Sequence, residues 1–209
     1  MNTKRLYQLS GVSLIISGLL FVIIQIIHPS NELANIRNTP WMVTHIMTFL
    51  FPIFGLFGLT GVFLKGVHKE SILNLVGYVL LSGAFIFMIV FGFLEAFVLP
   101  GLIEVAPSYV ESAESILDGE TGPIYIGILY QINGVLYMLG GLTFGLALLF
   151  NKVFPKVIAW AMIVVFFLTL SAAGLPFMAR ISGATFGLVC VGLGYLLISK
   201  LKWFPKSLK

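Results

Sequence analysis

The sequence predicts an all-α integral membrane protein, a single domain built as a bundle of six transmembrane helices. Three observations lead to this prediction. Of the 209 residues, 59% are hydrophobic, and only 10% are charged, against roughly 25% in an ordinary soluble domain. The apolar residues also gather into six runs, each near the roughly 20 residues that a helix needs to cross a bilayer. A soluble core of this size cannot bury so much apolar surface, so lipid must cover the remainder.

The six predicted spans follow one another with short connections. The first run follows Lys4 and Arg5, as a signal peptide would, but it leads into His28 without a small-x-small cleavage site, so we expect it to be retained. No domain boundary is visible, and the cytoplasmic loops are too short for a soluble catalytic domain. The predicted spans cover residues 8–27, 41–64, 72–99, 122–150, 157–178 and 183–201.

Basic residues predict the orientation, because they concentrate on the cytoplasmic side of membrane helices. Arg37 and Arg180 fall on one side of the predicted spans and ten basic residues on the other. We therefore expect a plasma-membrane protein with both termini in the cytoplasm. The net charge of +4 comes from basic residues whose positions orient the helices. Nucleic-acid binding is therefore not expected. The ten are Lys4, Arg5, Lys65, Lys69, Lys152, Lys156, Lys200, Lys202, Lys206 and Lys209.

The outer loop at residues 100–121 carries the pattern of a short amphipathic helix. Ser108 and Glu111 have the spacing of a capping box, and apolar residues recur after them at helical spacing. Such a helix would lie on the outer surface, either as a cap over the bundle or as a gating lid. The loop is acidic, with Glu104, Glu111, Glu114, Asp118 and Glu120.

Small residues predict how the helices pack. Gly141-xxx-Gly145 and Gly183-xxx-Gly187 are patterns that let helix backbones approach closely, here within the bundle. Pro52 lies within the second span and is expected to kink it, while Pro176 is expected to help end the fifth. The single cysteine, Cys190, is expected to be a buried apolar residue, since it has no partner for an internal disulfide. Tryptophans near span ends are typical of the interfacial aromatic belt: Trp41, Trp160 and Trp203.

Ionisable residues inside a membrane are costly and point to function. His28 ends the first span, His45 lies about one turn into the second, and Glu95 lies near the end of the third. Arg180 is expected in the tight outer turn between the last two spans. Since the orientation puts all four at outer depth, they are candidates for one site.

Helical spacing extends this candidate site to three spans. His28 shares a face with Gln25, and Trp41 shares one with His45. A third polar face runs along the fourth span. Polar faces in membrane helices turn toward the bundle interior, so the sequence predicts a polar pocket open to the outside. Its expected lining is His28, Trp41, His45, Glu95, Tyr130, Gln131, Asn133 and Arg180.

Several chemistries fit these residue types. His28, His45 and Glu95 can supply three ligands to a divalent metal, or the two histidines can bind haem. A His–Glu pair can relay protons, and His with Arg can hold an anionic headgroup. No HExxH or other specific motif selects among them.

Three functions therefore stay open. The leading expectation is a pocket that binds a small molecule or lipid headgroup for transport or sensing. The alternatives are a membrane-embedded metal or haem enzyme and a structural or accessory subunit. The lipid bilayer is the expected partner, and the sequence leaves the oligomeric state undecided.

Overall fold

A computed structural model describes residues 3–66, 72–106 and 124–199, and every element within these ranges is helical. In chain order the elements are α1 (Thr3–Ile27), α2 (Leu33–Ile36), α3 (Thr39–Gly66), α4 (Ile72–Phe93), a π-helical segment (Leu94–Val98), α5 (Leu99–Val105), α6 (Ile124–Asn151), α7 (Lys156–Ser171) and α8 (Phe177–Ser199).

The long helices form a closed ring in sequence order. Helix α1 packs against α3, α3 against α4, α4 against α6, α6 against α7 and α7 against α8, and α8 returns to α1. Because successive helices run in opposite directions, α1 ends beside the beginning of α3. We call this end of the bundle the His28 end. It also holds the π segment and the beginnings of α6 and α8.

Among the described residues, five helices are long and apolar enough to cross a membrane, which is compatible with the predicted multi-pass helical bundle. They match the first four predicted spans and the sixth, with the third continuing through the π segment to Val105. The fifth predicted span corresponds to α7, which is apolar but has only 16 residues. At a rise of 1.5 Å per residue it is about 24 Å long, against about 30 Å for a bilayer core.

The connection between α7 and α8 differs from the prediction. Helix α7 ends at Ser171 and α8 begins at Phe177, where the prediction continued the fifth span to 178 and began the sixth at 183. Pro176 therefore lies immediately before α8 and not at the end of α7, and its carbonyl accepts the Ala179 N–H. Proline suits a helix start, where its missing N–H would have no partner within the helix. Arg180 lies inside α8, not in a turn.

Aromatic rings from five helices fill the middle of the ring. Phe21 of α1 stacks on Phe51 of α3 with centroids 4.3 Å apart, and Phe85 of α4 meets Phe51 at 6.1 Å. Phe186 of α8 contacts Phe21, Phe85 and Tyr137 of α6. This aromatic layer consists of buried or half-buried side chains, so the bundle axis is closed by side chains below the His28 end.

Glycines permit the close approach of α1 and α8. A Cβ atom at Gly187 would lie 2.7 Å from the Gly18 carbonyl oxygen, and one at Gly183 would meet the Gln25 side chain. The Gly183-xxx-Gly187 pattern is thus confirmed as a packing site. In the Gly141-xxx-Gly145 pattern, only Gly145 faces a neighbouring helix, at Ile163. A Cβ atom added at Gly141 would meet no atom within 4 Å.

Pro52, Cys190 and the outer loop were also singled out by the sequence. Pro52 is buried inside α3, whose helix continues on both sides of it, and Cys190 is buried and free, as expected. The predicted surface helix, with its capping box at Ser108 and Glu111, lies outside the described residues.

Candidate ligand-binding site

The position of Glu95 follows from the π-helical segment that contains it. The Leu99 N–H donates to the Leu94 carbonyl, one residue further back than in an α-helix. Pro100 has no N–H to offer. The Glu95 carbonyl therefore lacks the Leu99 N–H that would donate to it in an α-helix. It also lacks a π-helical donor, because residue 100 is a proline. Such π turns in α-helices are often found at functional sites.

Trp41 supplies the missing donor. Its indole Nε1 donates to the Glu95 carbonyl oxygen at 2.9 Å, and its side chain is only 1% exposed. This hydrogen bond joins α3 to the π segment. Trp41 is thus a buried structural residue near the beginning of α3, and it lies at the candidate site.

His45 lies one turn further along α3, oriented by Trp41. The two rings stack with centroids 4.0 Å apart, and His45 Nδ1 lies 2.8 Å from the Trp41 carbonyl oxygen. Because a carbonyl only accepts, Nδ1 carries the hydrogen. Nε2 then points to the Glu95 carboxyl group, 3.4 Å from Oε2. The side chains are 2% and 13% exposed, so the pair is enclosed.

Tyr130 brings α6 to the same carboxyl group. Its hydroxyl donates to Glu95 Oε1 at 2.7 Å, and its ring stacks on Phe91 of α4 with centroids 3.9 Å apart. The stacking fixes the ring and hence the direction of the hydroxyl. Three elements, α3, the π segment and α6, therefore meet at Glu95. We call His45, Glu95 and Tyr130 the outer cluster, after the outward orientation that the sequence predicts for this end of the bundle.

His28 extends this group toward α1 and α8. Its ring meets the His45 ring edge to face with centroids 5.1 Å apart, and its Nδ1 donates to the Pro29 carbonyl at 2.7 Å. Arg180 donates to the His28 carbonyl at 3.2 Å. Burial lowers the pKa of His28, as does the nearby Arg180 charge, against the raising effect of the Pro29 hydrogen bond.

A small apolar cluster covers the His28 end beside Trp41. Ile36 of α2, Trp41 and Ile103 of α5 are buried against one another. Arg37 donates to the Ile103 carbonyl at 3.0 Å, which satisfies one of the unpaired carbonyls at the end of α5. No sequence pattern predicts this contact, because the two residues lie 66 positions apart.

The eight predicted site residues separate into two groups. His28, Trp41, His45, Glu95 and Tyr130 come together, and Arg180 joins them through the His28 main chain. The other two do not contact Glu95: Gln131 is exposed on α6, and Asn133 is half-buried one turn below Tyr130. An adjacent residue points about 100° away around a helix, which explains why Gln131 leaves the face of Tyr130.

Two buried polar atoms lie close in sequence to members of the outer cluster. Within the described chain, Thr44 Oγ1 on α3 and Asn133 Oδ1 on α6 are enclosed and have no hydrogen-bond partner. Asn133 and Tyr137 follow Tyr130 on one face of α6 at helical spacing.

The metal and haem hypotheses gain no support from the geometry. Among the described residues no three His, Cys, Asp or Glu side chains are grouped so as to hold a metal ion. Haem bound by two histidines places its porphyrin plane between them, and the 5.1 Å edge contact of His28 and His45 leaves no room for one. No protein-family model, curated protein or solved structure matches the chain.

Proposed function

We propose that this chain is a six-span protein of the plasma membrane with both termini in the cytoplasm. The ten-to-two distribution of basic residues supports this orientation. Helix α7 completes the ring between α6 and α8, and its short length fits a span that neighbouring helices help to enclose. In this orientation the His28 end faces outward.

We further propose that the His28 end binds a small ligand or lipid headgroup, in the service of transport or sensing. The observation that carries this proposal is the outer cluster, in which two elements, α3 and α6, reach the carboxyl group of the π segment with polar atoms inside a membrane-embedded bundle. Ionisable groups at such depth are expensive and mark ligand or ion pathways. Thr44 Oγ1, next to His45 in α3, and Asn133 Oδ1, one turn from Tyr130 in α6, are further polar atoms without a hydrogen-bond partner.

The aromatic layer limits access to the proposed site to one side. Phe21, Phe51, Phe85 and Phe186 close the ring below it, so in this conformation a ligand would enter and leave at the outer face. Transport would require these rings to separate, whereas sensing would not. A transporter and a sensor therefore differ in whether the bound ligand reaches the other side.

A ligand screen tests this function. Protein in lipid nanodiscs would be unfolded thermally in the presence of a broad panel of small polar molecules and lipid headgroups. A specific ligand stabilises the folded state with concentration by mass action. We expect such a shift in the wild type and its loss in Glu95→Gln. A panel without any shift, or a shift of equal size in Glu95→Gln, would contradict the proposal.

The matched control is Glu104→Gln. Glu104 is the exposed acid of α5 at the same end of the bundle, so its replacement changes the net charge equally. We expect the ligand shift to persist in this variant. Uptake into proteoliposomes then separates transport from sensing, and copurifying partner chains needed for activity would favour the accessory function instead.

A further inference from the structure

We infer that the outer cluster binds a protonated amine, with Glu95 as its counter-ion and His45 Nε2 as a second acceptor. This inference deepens the proposed function and rests on it for the location of the site. It names the chemical class of the ligand as a primary or secondary ammonium group, which carries both a positive charge and N–H donors.

Two hydrogen-bond acceptors, His45 Nε2 and Glu95 Oε2, face each other in the outer cluster. His45 Nδ1 donates its hydrogen to the Trp41 carbonyl, so in the neutral ring Nε2 has no hydrogen and is an acceptor with a lone pair. That lone pair faces Glu95 Oε2, also an acceptor, at 3.4 Å. Two acceptors this close need a hydrogen between them or a donor beside them. An ammonium group approaching from the side can donate one N–H to each.

Glu95 also lacks a fixed cation among the described residues. Within the described part of the chain, no lysine or arginine forms an ion pair with Glu95, and its contacts are Tyr130 and His45. The two arginines of the His28 end donate to main-chain carbonyls, Arg37 to Ile103 and Arg180 to His28. A buried carboxylate is stabilised by a positive charge. A cationic ligand would supply this charge to Glu95.

The sequence that connects α5 to α6 is acidic. Five acids lie between residues 104 and 120, and this segment contains no basic residue. Negative charge raises the local concentration of cations and opposes the approach of anions. The sequence of the loop thus favours a cationic ligand over an anionic headgroup at this site.

Methylammonium is the probe that tests the inference. The thermal unfolding midpoint of the full chain in nanodiscs would be measured at about neutral pH, where an alkylamine is protonated, against increasing methylammonium chloride. Tetramethylammonium chloride at equal ionic strength is the control ligand, because it has the charge but no N–H. We expect a saturable rise with methylammonium alone, and a Kd about tenfold or more weaker in Glu95→Gln.

Three results would overturn the inference. They are the absence of a saturable methylammonium effect, an equal effect of tetramethylammonium, and an effect that persists unchanged in Glu95→Gln. If the wider panel instead finds a neutral or anionic ligand whose binding needs Glu95, the proposed function stands and the amine is wrong. The Glu104→Gln variant changes the same charge at an exposed site outside the outer cluster, so it should retain methylammonium binding. A cooperative thermal unfolding transition of Glu95→Gln without ligand shows that its loss of binding is not unfolding.

Discussion

The indole of Trp41 donates to the main-chain carbonyl of Glu95 at 2.9 Å, and this bond replaces the helical hydrogen bond that Pro100 and the π turn remove. The same tryptophan stacks on His45 and accepts its Nδ1 hydrogen. One residue therefore orients both the histidine and the main chain of the acid that faces it. The arrangement of the outer cluster depends on this connection between α3 and the π segment.

Replacing Trp41 should destabilise the protein more than replacing a tryptophan on its surface. Trp41→Phe keeps an aromatic ring but leaves the Glu95 carbonyl buried without a donor, at a cost of about 1–3 kcal/mol in unfolding free energy. The control is Trp160→Phe, at a side chain 54% exposed, where a change within about 0.5 kcal/mol is expected. Reversible denaturation in mild detergent measures both, and equal stabilities of the two variants would refute the assigned role of Trp41.

Pro100 should maintain the π turn. In Pro100→Ala the new N–H can bond to the Ala96 carbonyl, and the Leu99 N–H can return to Glu95 in α-helical register. We expect the Trp41 indole N–H to lose its acceptor and to exchange with deuterium about fivefold faster, the factor for losing roughly 1 kcal/mol. Pro176→Ala, at the beginning of α8, serves as control. Unchanged exchange in Pro100→Ala would show that the π turn does not depend on the proline.

The glycine contact of α1 and α8 should tolerate no side chain. Gly187→Ala places a Cβ atom 2.7 Å from the Gly18 carbonyl oxygen, so the two backbones must separate. We expect a loss of about 1–3 kcal/mol in unfolding free energy, as for overpacked cores. Gly141→Ala, where the added carbon meets no atom within 4 Å, should leave stability nearly unchanged. Similar unfolding curves for both variants would disprove the close packing.

His28 should contribute to a loss of stability in mild acid. Its pKa is lowered in the folded protein by burial, from an ordinary value of 6.5. The unfolded chain therefore takes up this proton first as the pH falls, and the contribution of His28 to stability declines below that value. Between about pH 7.5 and 5.5, the stability of His28→Asn should fall less steeply than that of the wild type. A wild-type slope equal to that of the variant would contradict the lowered pKa.

Helical periodicity predicted much of the candidate site. Residues at i, i+3 and i+4 share a helix face whatever the tertiary structure, which is why His45 was correctly paired with Trp41 and Tyr130 was placed on an inward face. The high cost of an acid in a membrane singled out Glu95. These arguments need only one helix at a time, and they identified the three residues of the outer cluster.

Contacts between distant segments were beyond this reasoning. The bond of Arg37 to the Ile103 carbonyl and the π turn before Pro100 depend on how α2, α3 and α5 pack together. Neither leaves a periodic signal in the sequence. Arg180 was misplaced because the apolar pattern continues across the short α7–α8 turn, so hydropathy alone could not locate the boundary.

The most direct test of the account is whether Glu95 contacts His45 in the membrane. Nitrogen NMR of protein with ¹⁵N-labelled histidine, in nanodiscs, would report the His45 ring nitrogens in the wild type, Glu95→Gln and the exposed control Glu104→Gln. Histidine-to-glutamine variants would assign the ring-nitrogen signals to the three histidines. We predict that the His45 Nε2 signal moves in Glu95→Gln and stays in place in Glu104→Gln. An Nε2 signal that is the same in all three proteins would show that the outer cluster does not form.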